Sequence, residues 1–420
     1  MKKIKSLFTL QEWSYIFYDW AESVYSVIIM SAILPIVFSS LTDLANIDSI
    51  KSTTYWGYAN SIGTMIIAFM SPILGSIADY RGYKKKMFMI FFIIGVFFTG
   101  LMGLIPYHTF AWFILLILFI FSLFGYTGAN IFYDSFIVDV TDEKKMDKVS
   151  TTGYALGYIG GSTIPFIISI LIILNANTLG LDDFMAAKIS FIITALWWLV
   201  FAIPFVKYVN QVGGLEKEKH IVLLSFKRLV KTFKEITQYK QVFIFLLAYF
   251  FYIDGVNTII KMATTYGTSL GLDSNGLMIA LLVTQIVACP CAIIYGKLSE
   301  HYSTRKLISI AIFIYSFICI YAYFLDSITD FFILAILVAS SQGGIQALSR
   351  SYFGKIIPKE KSNEFFGFYT IFGRFAAIMG PLLVAVTTDL TNDTNFGVLS
   401  LIALFIIGGS IFIFGTQEVK

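Results

Sequence analysis

Twelve long apolar stretches restrict this 420-residue chain to a helical fold embedded in a membrane. A helix rises about 1.5 Å per residue, so roughly 20 apolar residues cross the hydrocarbon of a bilayer. Only 13% of the residues are charged, whereas a soluble domain carries about a quarter. We therefore expect an all-α membrane protein with twelve transmembrane helices, near 14–38, 55–78, 87–105, 110–138, 151–174, 187–207, 241–266, 276–298, 306–325, 331–354, 364–388 and 395–415.

A charged segment separates these stretches into two sets of six. The expected organisation is an N-terminal half over 1–207, a linker over 208–240 and a C-terminal half over 241–420. In the linker, lysines alternate with apolar residues at helical spacing. This pattern fits an amphipathic helix at the lipid headgroups, and it equally fits a solvated connector.

The two halves also match in sequence. A shift of 216 residues aligns residues of the same or complementary type in the two halves. Repeats of this kind indicate pseudo-symmetric halves around a shared central site. The pairs are Gly128 with Gly344, Asn130 with Gln346, Asp134 with Arg350, Gly157 with Gly373 and Pro165 with Pro381.

The loops differ in charge from one side of the predicted bundle to the other. Loops after the even-numbered stretches are basic, as at Lys84–Lys86 and Lys144–Lys148, whereas the others are acidic or neutral, as at Asp182 and Asp183. Because basic loops stay in the cytoplasm, we expect a multi-pass protein of the cytoplasmic membrane with both termini cytoplasmic. The net charge of +4 belongs to these loops, and we expect no nucleic-acid partner.

Ionisable residues inside apolar stretches are candidates for binding a substrate or coupling to protons. Asp19 and Glu22 lie three residues apart, which places both carboxyls on one helix face. The guanidinium of Arg374 is suited to a substrate carboxylate, or it neutralises a buried acid. The candidate set is Asp19, Glu22, Tyr25, Asn130, Asp134, Asp254, Asn257, Gln346 and Arg374.

Polar residues also share faces of the fourth and tenth stretches. Asn130 and Asp134 lie on one face of the fourth, and Gln346 and Arg350 on one face of the tenth. Such faces line a cavity or form hydrogen bonds between helices. Arg350 lies near the cytoplasmic end of its stretch, where a long side chain reaches water.

The loop Gly75–Lys85 resembles the loop motif of the major facilitator superfamily, Gly-x-x-x-Asp-x-x-Gly followed by two basic residues. Asp79 is expected at the positive N-terminus of a neighbouring helix, and Arg81 is expected to bridge to Asp139. An ordinary basic loop is the alternative. The residues expected to form a conformational latch are Gly75, Asp79, Arg81, Gly82, Lys84 and Asp139.

Five further segments resemble one family within that superfamily, the vacuolar autophagy-related amino-acid effluxers and their bacterial relatives. These segments are Tyr18–Ser26, Ser150–Gly161, Tyr252–Ile259, Gly343–Ser351 and Phe365–Tyr369. Glu22 stands where that family usually has Asn, which adds a titratable group. The resemblance implies the major facilitator fold and secondary transport, with amino-acid export as the characterised activity.

These features together predict a secondary active transporter that moves a small zwitterion, such as an amino acid, by alternating access with proton coupling. Its expected partners are the solute, protons and the lipid bilayer; we expect a monomer with no cofactor and no metal. Transport of quaternary ammonium osmolytes or amphiphilic drugs is the alternative. An enzyme is not expected, because the three histidines lie at loops or helix ends without catalytic partners.

Overall fold

The computed structural model describes residues 7–216, 224–225, 227, 230–231, 236–272 and 274–418. Within these residues, twelve helices are long and apolar enough to cross a membrane, which confirms the predicted fold class. They are α1 (Leu10–Leu44), α2 (Ser49–Ala78), α3 (Tyr83–Met102), α4 (Ala111–Val140), α5 (Glu143–Leu174), α6 (Asp183–Tyr208), α7 (Lys240–Ser269), α8 (Ser274–Leu298), α9 (Thr304–Tyr323), α10 (Ile328–Ile356), α11 (Ser362–Thr391) and α12 (Thr394–Gly415).

Helices α1–α6 and α7–α12 form two halves that meet through equivalent pairs of helices. α2 packs against α11, and α5 packs against α8 and α10. We call the end of the bundle that carries loops 79–82, 141–142, 299–303 and 357–361 the basic face, and the opposite end the acidic face.

Large apolar side chains cover the outside of the bundle. Phe97, Phe313 and Leu390 are 57%, 74% and 80% exposed. An apolar belt of this extent is unfavourable in water and is typical of a surface that faces lipid. The high apolar content of the chain is thus divided between this belt and a buried aromatic core, in which Phe205 packs on Tyr18 with ring centroids 4.9 Å apart.

Two helices change pitch midway through the bundle. α1 contains a π-helical turn over Ser26–Ala32, and α5 contains one over Gly157–Thr163. Such turns frequently occur at functional sites. The two helices pack closely because α5 has glycines on the side facing α1. A Cβ added to Gly153, for example, would overlap the Asp19 carboxylate.

The linker lies mostly outside the described residues. α6 ends at Tyr208 and α7 begins at Lys240. The amphipathic helix predicted within 208–240 falls largely on residues that are not described, so it stays a prediction, as do the domain boundaries.

Candidate functional site

A central cavity lies between the two halves. It has two adjoining lobes of about 360 and 350 Å³, within the range of small-molecule sites. Asn130, Asp134 and Gln346 line both lobes. The exposed side chains of Ser31 and Lys261 lie toward the acidic face, so the cavity is accessible from that end.

Arg350 closes the cavity toward the basic face and is 2% exposed. Its guanidinium donates to both oxygens of Asp19, at 3.3 and 3.1 Å, and to Oδ1 of Asp134 at 3.2 Å. Its Nε donates to Ser150 Oγ at 2.9 Å, and its Cζ lies 4.6 Å from the Tyr154 ring centroid. A base of the C-terminal half therefore joins two acids of the N-terminal half.

The expectation that Arg350 reaches water is wrong. α10 continues to Ile356, which leaves Arg350 well inside the helix, and the rings of Tyr15, Tyr133 and Tyr154 surround its guanidinium. The sequence contained the relevant signal, because the 216-residue shift pairs Arg350 with Asp134. Opposite charges at symmetry-equivalent positions near the pseudo-twofold axis are able to meet, as these two do.

Glu22 lines the cavity about one helical turn from Asp19. Asn130 Nδ2 donates to its Oε2 at 3.0 Å. Within the described part of the chain, Glu22 forms no ion pair, in contrast to Asp19 and Asp134. The cavity therefore presents a carboxylate without a basic partner.

Arg374 and Lys261 also line the cavity without a carboxylate partner among the described residues. Arg374 Nη2 donates to Thr127 Oγ1 at 3.2 Å, while Asp134 and Glu22 attract it without a direct ion pair among the described residues. Lys261 lies one turn beyond Asn257, which lines the same cavity. The cavity therefore holds Glu22, Arg374 and Lys261 without direct ion pairs among the described residues.

Two predicted site residues lie outside the cavity lining. Tyr25 is fully buried within the N-terminal half, where its ring stacks on Tyr126 at 4.2 Å and its hydroxyl accepts from Ser122 at 3.0 Å. Asp254 is fully buried against α11, next to Thr258, which donates to it at 3.4 Å. Both were expected to bind substrate or couple to protons, and the structure places them outside the cavity lining.

At the basic face, Asp79 caps α11 of the opposite half. Its Oδ1 accepts from both the backbone and the side-chain nitrogen of Asn363 at 2.9 Å, and its Oδ2 accepts from the backbone of Glu364 at 3.2 Å. A carboxylate at a helix N-terminus is stabilised by the free N–H groups and the dipole. Gly75 permits the contact, because an added Cβ would overlap the Asn363 carbonyl.

The bridge to Asp139 comes from Lys84, and the prediction that Arg81 makes it is wrong. Lys84 Nζ lies 2.5 Å from Asp139 Oδ2 and 3.2 Å from Ser362 Oγ of α11. Gly82, with φ +79°, turns the chain just before α3. That turn leaves Arg81 exposed, with its Nε donating to the carbonyl of Gly214, and brings Lys84 inward.

Two hydrogen bonds at the basic face are related by the internal repeat of the chain. Ser135 Oγ donates to Asn363 Oδ1, and Ser351 Oγ donates to Asp147 Oδ1, both at 2.5 Å. The 216-residue shift converts one pair into the other, exchanging the halves. The closure of the basic face is therefore itself pseudo-symmetric.

Further ion pairs join the halves near the second of these bonds. Glu300, in the loop after α8, pairs with Lys148 of α5, and Lys148 holds the pKa of Glu300 below its usual value. Lys355 Nζ lies 2.6 Å from Asp147 Oδ2. These contacts link α5 to the C-terminal half, as Asp79 links α2 to α11.

Comparison with known proteins identifies the family. The model described as "Vacuole effluxer Atg22 like" matches residues 10–145 and 138–419. The uncharacterized MFS-type transporter YxiO of Bacillus subtilis (strain 168) is 52% identical over 413 residues, covering 98% of this chain and 96% of the relative. Autophagy-related protein 22 of Yarrowia lipolytica (strain CLIB 122 / E 150) is 24% identical over 304 residues, covering 64% of this chain but only 50% of that relative.

Solved structures agree on the fold. A double Trp mutant of XylE superposes with a TM-score of 0.74 at 10% identity, covering 98% of this chain and 95% of the other. The major facilitator transporter FucP in the outward conformation gives 0.67 at 14% identity, with 97% and 99% covered. The chain belongs to the Atg22-like family of major facilitator transporters; it is a multi-pass membrane transporter and not an enzyme.

Proposed function

We propose that this transporter moves a small zwitterion, such as an amino acid, by alternating access coupled to protons. The observation that carries the proposal is the pair Glu22 and Arg374, which line one cavity and form no ion pair within the described residues. A dipolar solute supplies the missing partner to each. A neutral or purely apolar solute would leave each charge without a direct ion-pair partner, which is unfavourable.

The carboxylate of such a solute is best placed at Arg374. A guanidinium offers two parallel N–H donors to a carboxylate, and Thr127 fixes the orientation of this one through its hydroxyl. The ammonium of the solute is best placed at Glu22, whose carboxylate is held by Asn130. Asn257 and Gln346 supply further polar groups around the solute.

Proton coupling is proposed at Asp19 and Glu22. Asp19 is bound to Arg350 across the boundary between the halves, so protonation of Asp19 would weaken a contact that holds the basic face closed. Protonation of Glu22 would remove the charge proposed to bind the ammonium. A proton at either site thereby changes which face opens or how tightly the solute is held.

The orientation and assembly follow from loop charge and fold. We propose that the basic face lies in the cytoplasm, with both termini on that side of the cytoplasmic membrane. In that orientation the contacts of Asp79 and Arg350 close the cytoplasmic side. We propose that the protein works as a monomer, since the cavity is formed within a single chain.

A ligand screen tests the proposed substrate class. The purified chain is heated with single amino acids, betaine, choline or amphiphilic drugs, because a ligand that binds the folded state raises the apparent melting temperature. We expect amino acids to stabilise the wild type and to be transported as radiolabelled solutes into proteoliposomes. Stabilisation by choline or drugs and by no amino acid would favour the other transport class and contradict the proposal.

A further inference from the structure

The free charges of the cavity are one acid and two bases. Asp19 and Asp134 share Arg350 and are compensated by it. Glu22, Arg374 and Lys261 remain, each lining the cavity and none in an ion pair with a described residue. A ligand that complements this set carries one positive and two negative groups.

Lys261 is the charge that a simple zwitterion leaves unmatched. Its side chain is exposed to the cavity from α7, where Arg374 repels it and the buried Asp254 of the same helix attracts it less strongly. Two cations that line one cavity repel each other until an anion lies between them. A single carboxylate at Arg374 provides no direct ion-pair partner for Lys261.

The layout of the two lobes allows one small ligand to reach all three charges. Arg374 lines one lobe and Glu22 lines the other, whereas Lys261 lines both. Asn130 and Gln346 also line both lobes, so polar side chains continue from one to the next. The lobes adjoin through these shared residues, so the three charged groups line one continuous cavity.

We propose that the preferred solute is an acidic amino acid, with its ammonium at Glu22, one carboxylate at Arg374 and the other at Lys261. This inference rests on the amino-acid transport proposed above and narrows its substrate class. Lys261 is then the residue that determines preference for acidic over neutral amino acids.

Glutamate and glutamine distinguish the two classes because they have nearly the same shape and differ in one charge. Each is titrated calorimetrically into the purified full-length chain, as wild type, as Lys261→Gln and as Lys51→Gln. Lys51 is an exposed lysine at the acidic face outside the cavity, which makes Lys51→Gln the matched control. A charge-assisted contact changes affinity by about 10-fold or more.

We expect the wild type and Lys51→Gln to bind glutamate at least about 10-fold more tightly than glutamine. Lys261→Gln should lose this preference by binding glutamate more weakly, while its retained glutamine binding shows that the variant is folded. Equal binding of both ligands by the wild type, or an equal loss of both in Lys261→Gln, would overturn the inference and leave amino-acid transport standing. If neither ligand binds the wild type, the inference fails, and the screen of all amino acids described above decides the proposed function.

Discussion

Arg350 is the residue on which the closure of the cavity depends most. Its guanidinium comes from α10, whereas its acidic partners Asp19 and Asp134 come from α1 and α4. These ion pairs join the two halves across the closed basic face. Removing one partner from a buried cluster leaves an uncompensated charge, which typically costs about 3–5 kcal/mol.

We predict that Arg350→Met lowers the apparent melting temperature far more than Asp134→Asn. The methionine leaves Asp19, with a side chain 5% exposed, without its counter-charge. Asp134→Asn leaves the Asp19–Arg350 pair intact, and the Asp134 side chain is 24% exposed, so solvent reduces its contribution. Thermal unfolding in one detergent measures both variants, and equal losses would show that Arg350 is not the centre of the cluster.

Substrate affinity should depend on the shape of the Arg374 side chain as well as on its charge. Arg374→Lys keeps the positive charge and loses the planar pair of donors, so we expect roughly 10-fold weaker binding of whichever amino acid the screen identifies. Arg81→Lys changes an exposed arginine outside the cavity and serves as the control. Unchanged affinity in Arg374→Lys would exclude bidentate binding there.

Sequence reasoning identified which residue types lie in the site but resolved their directions poorly. Asp19 and Glu22 line one lobe of the cavity and Arg374 lines the other, and their roles stay predictions. Asp254 and Asn257 lie three residues apart, yet only Asn257 lines the cavity. Spacing shows which residues share a face, but the rotation of each helix is set by packing against its neighbours.

Local turns limited the prediction of the latch in a similar way. The motif correctly marked the loop after α2, but the choice between Arg81 and Lys84 depends on the turn at Gly82. Arg81 and Lys84 lie only three residues apart, yet Arg81 is exposed and Lys84 is buried. Such detail follows from backbone geometry and is not contained in the motif.

At the scale of elements, closure of the basic face depends on how closely α2 approaches α11. Asp79 binds the first turn of α11, and Gly75 lies one turn earlier on the same side of α2. Because an added Cβ at Gly75 would overlap the Asn363 carbonyl, even alanine must push the helices apart. The basic face is therefore held closed both by the close approach of the helices at Gly75 and by the hydrogen bonds of the Asp79 carboxylate.

We predict that Gly75→Ala shifts the population toward a state open at the basic face. Gly57→Ala is the matched control, since Gly57 lies in the same helix with nothing within 4 Å of an added Cβ. Spin labels at the exposed positions Lys145 and Glu360, one in each half, would report the distance across the face. Identical distance distributions in the two variants would contradict the role of Gly75.

At the scale of the whole molecule, the two halves meet through contacts that repeat under the internal symmetry. The internal symmetry relates two hydrogen bonds between the halves, Ser135 to Asn363 and Ser351 to Asp147. Opening the basic face breaks both together with the Arg350 cluster, which favours motion of each half as a unit. Solvent then reaches the cavity from one face at a time.

The overall architecture was far more predictable than the site. Twelve spans and two halves follow from apolar length, loop charge and the internal repeat, all of which are local properties of the chain. The face at which the halves meet depends on contacts between residues such as Asp79 and Asn363, which are distant in sequence. No single segment contains that information.

Transport driven by a pH gradient in proteoliposomes tests the central claim most directly. Wild type is compared with Asp19→Asn combined with Glu22→Gln, and with Asp183→Asn, which changes an exposed acid at the acidic face. We predict that the double variant remains folded, at reduced stability, and loses amino-acid movement driven by pH, whereas Asp183→Asn keeps it. Full pH-driven transport by the double variant would contradict the account.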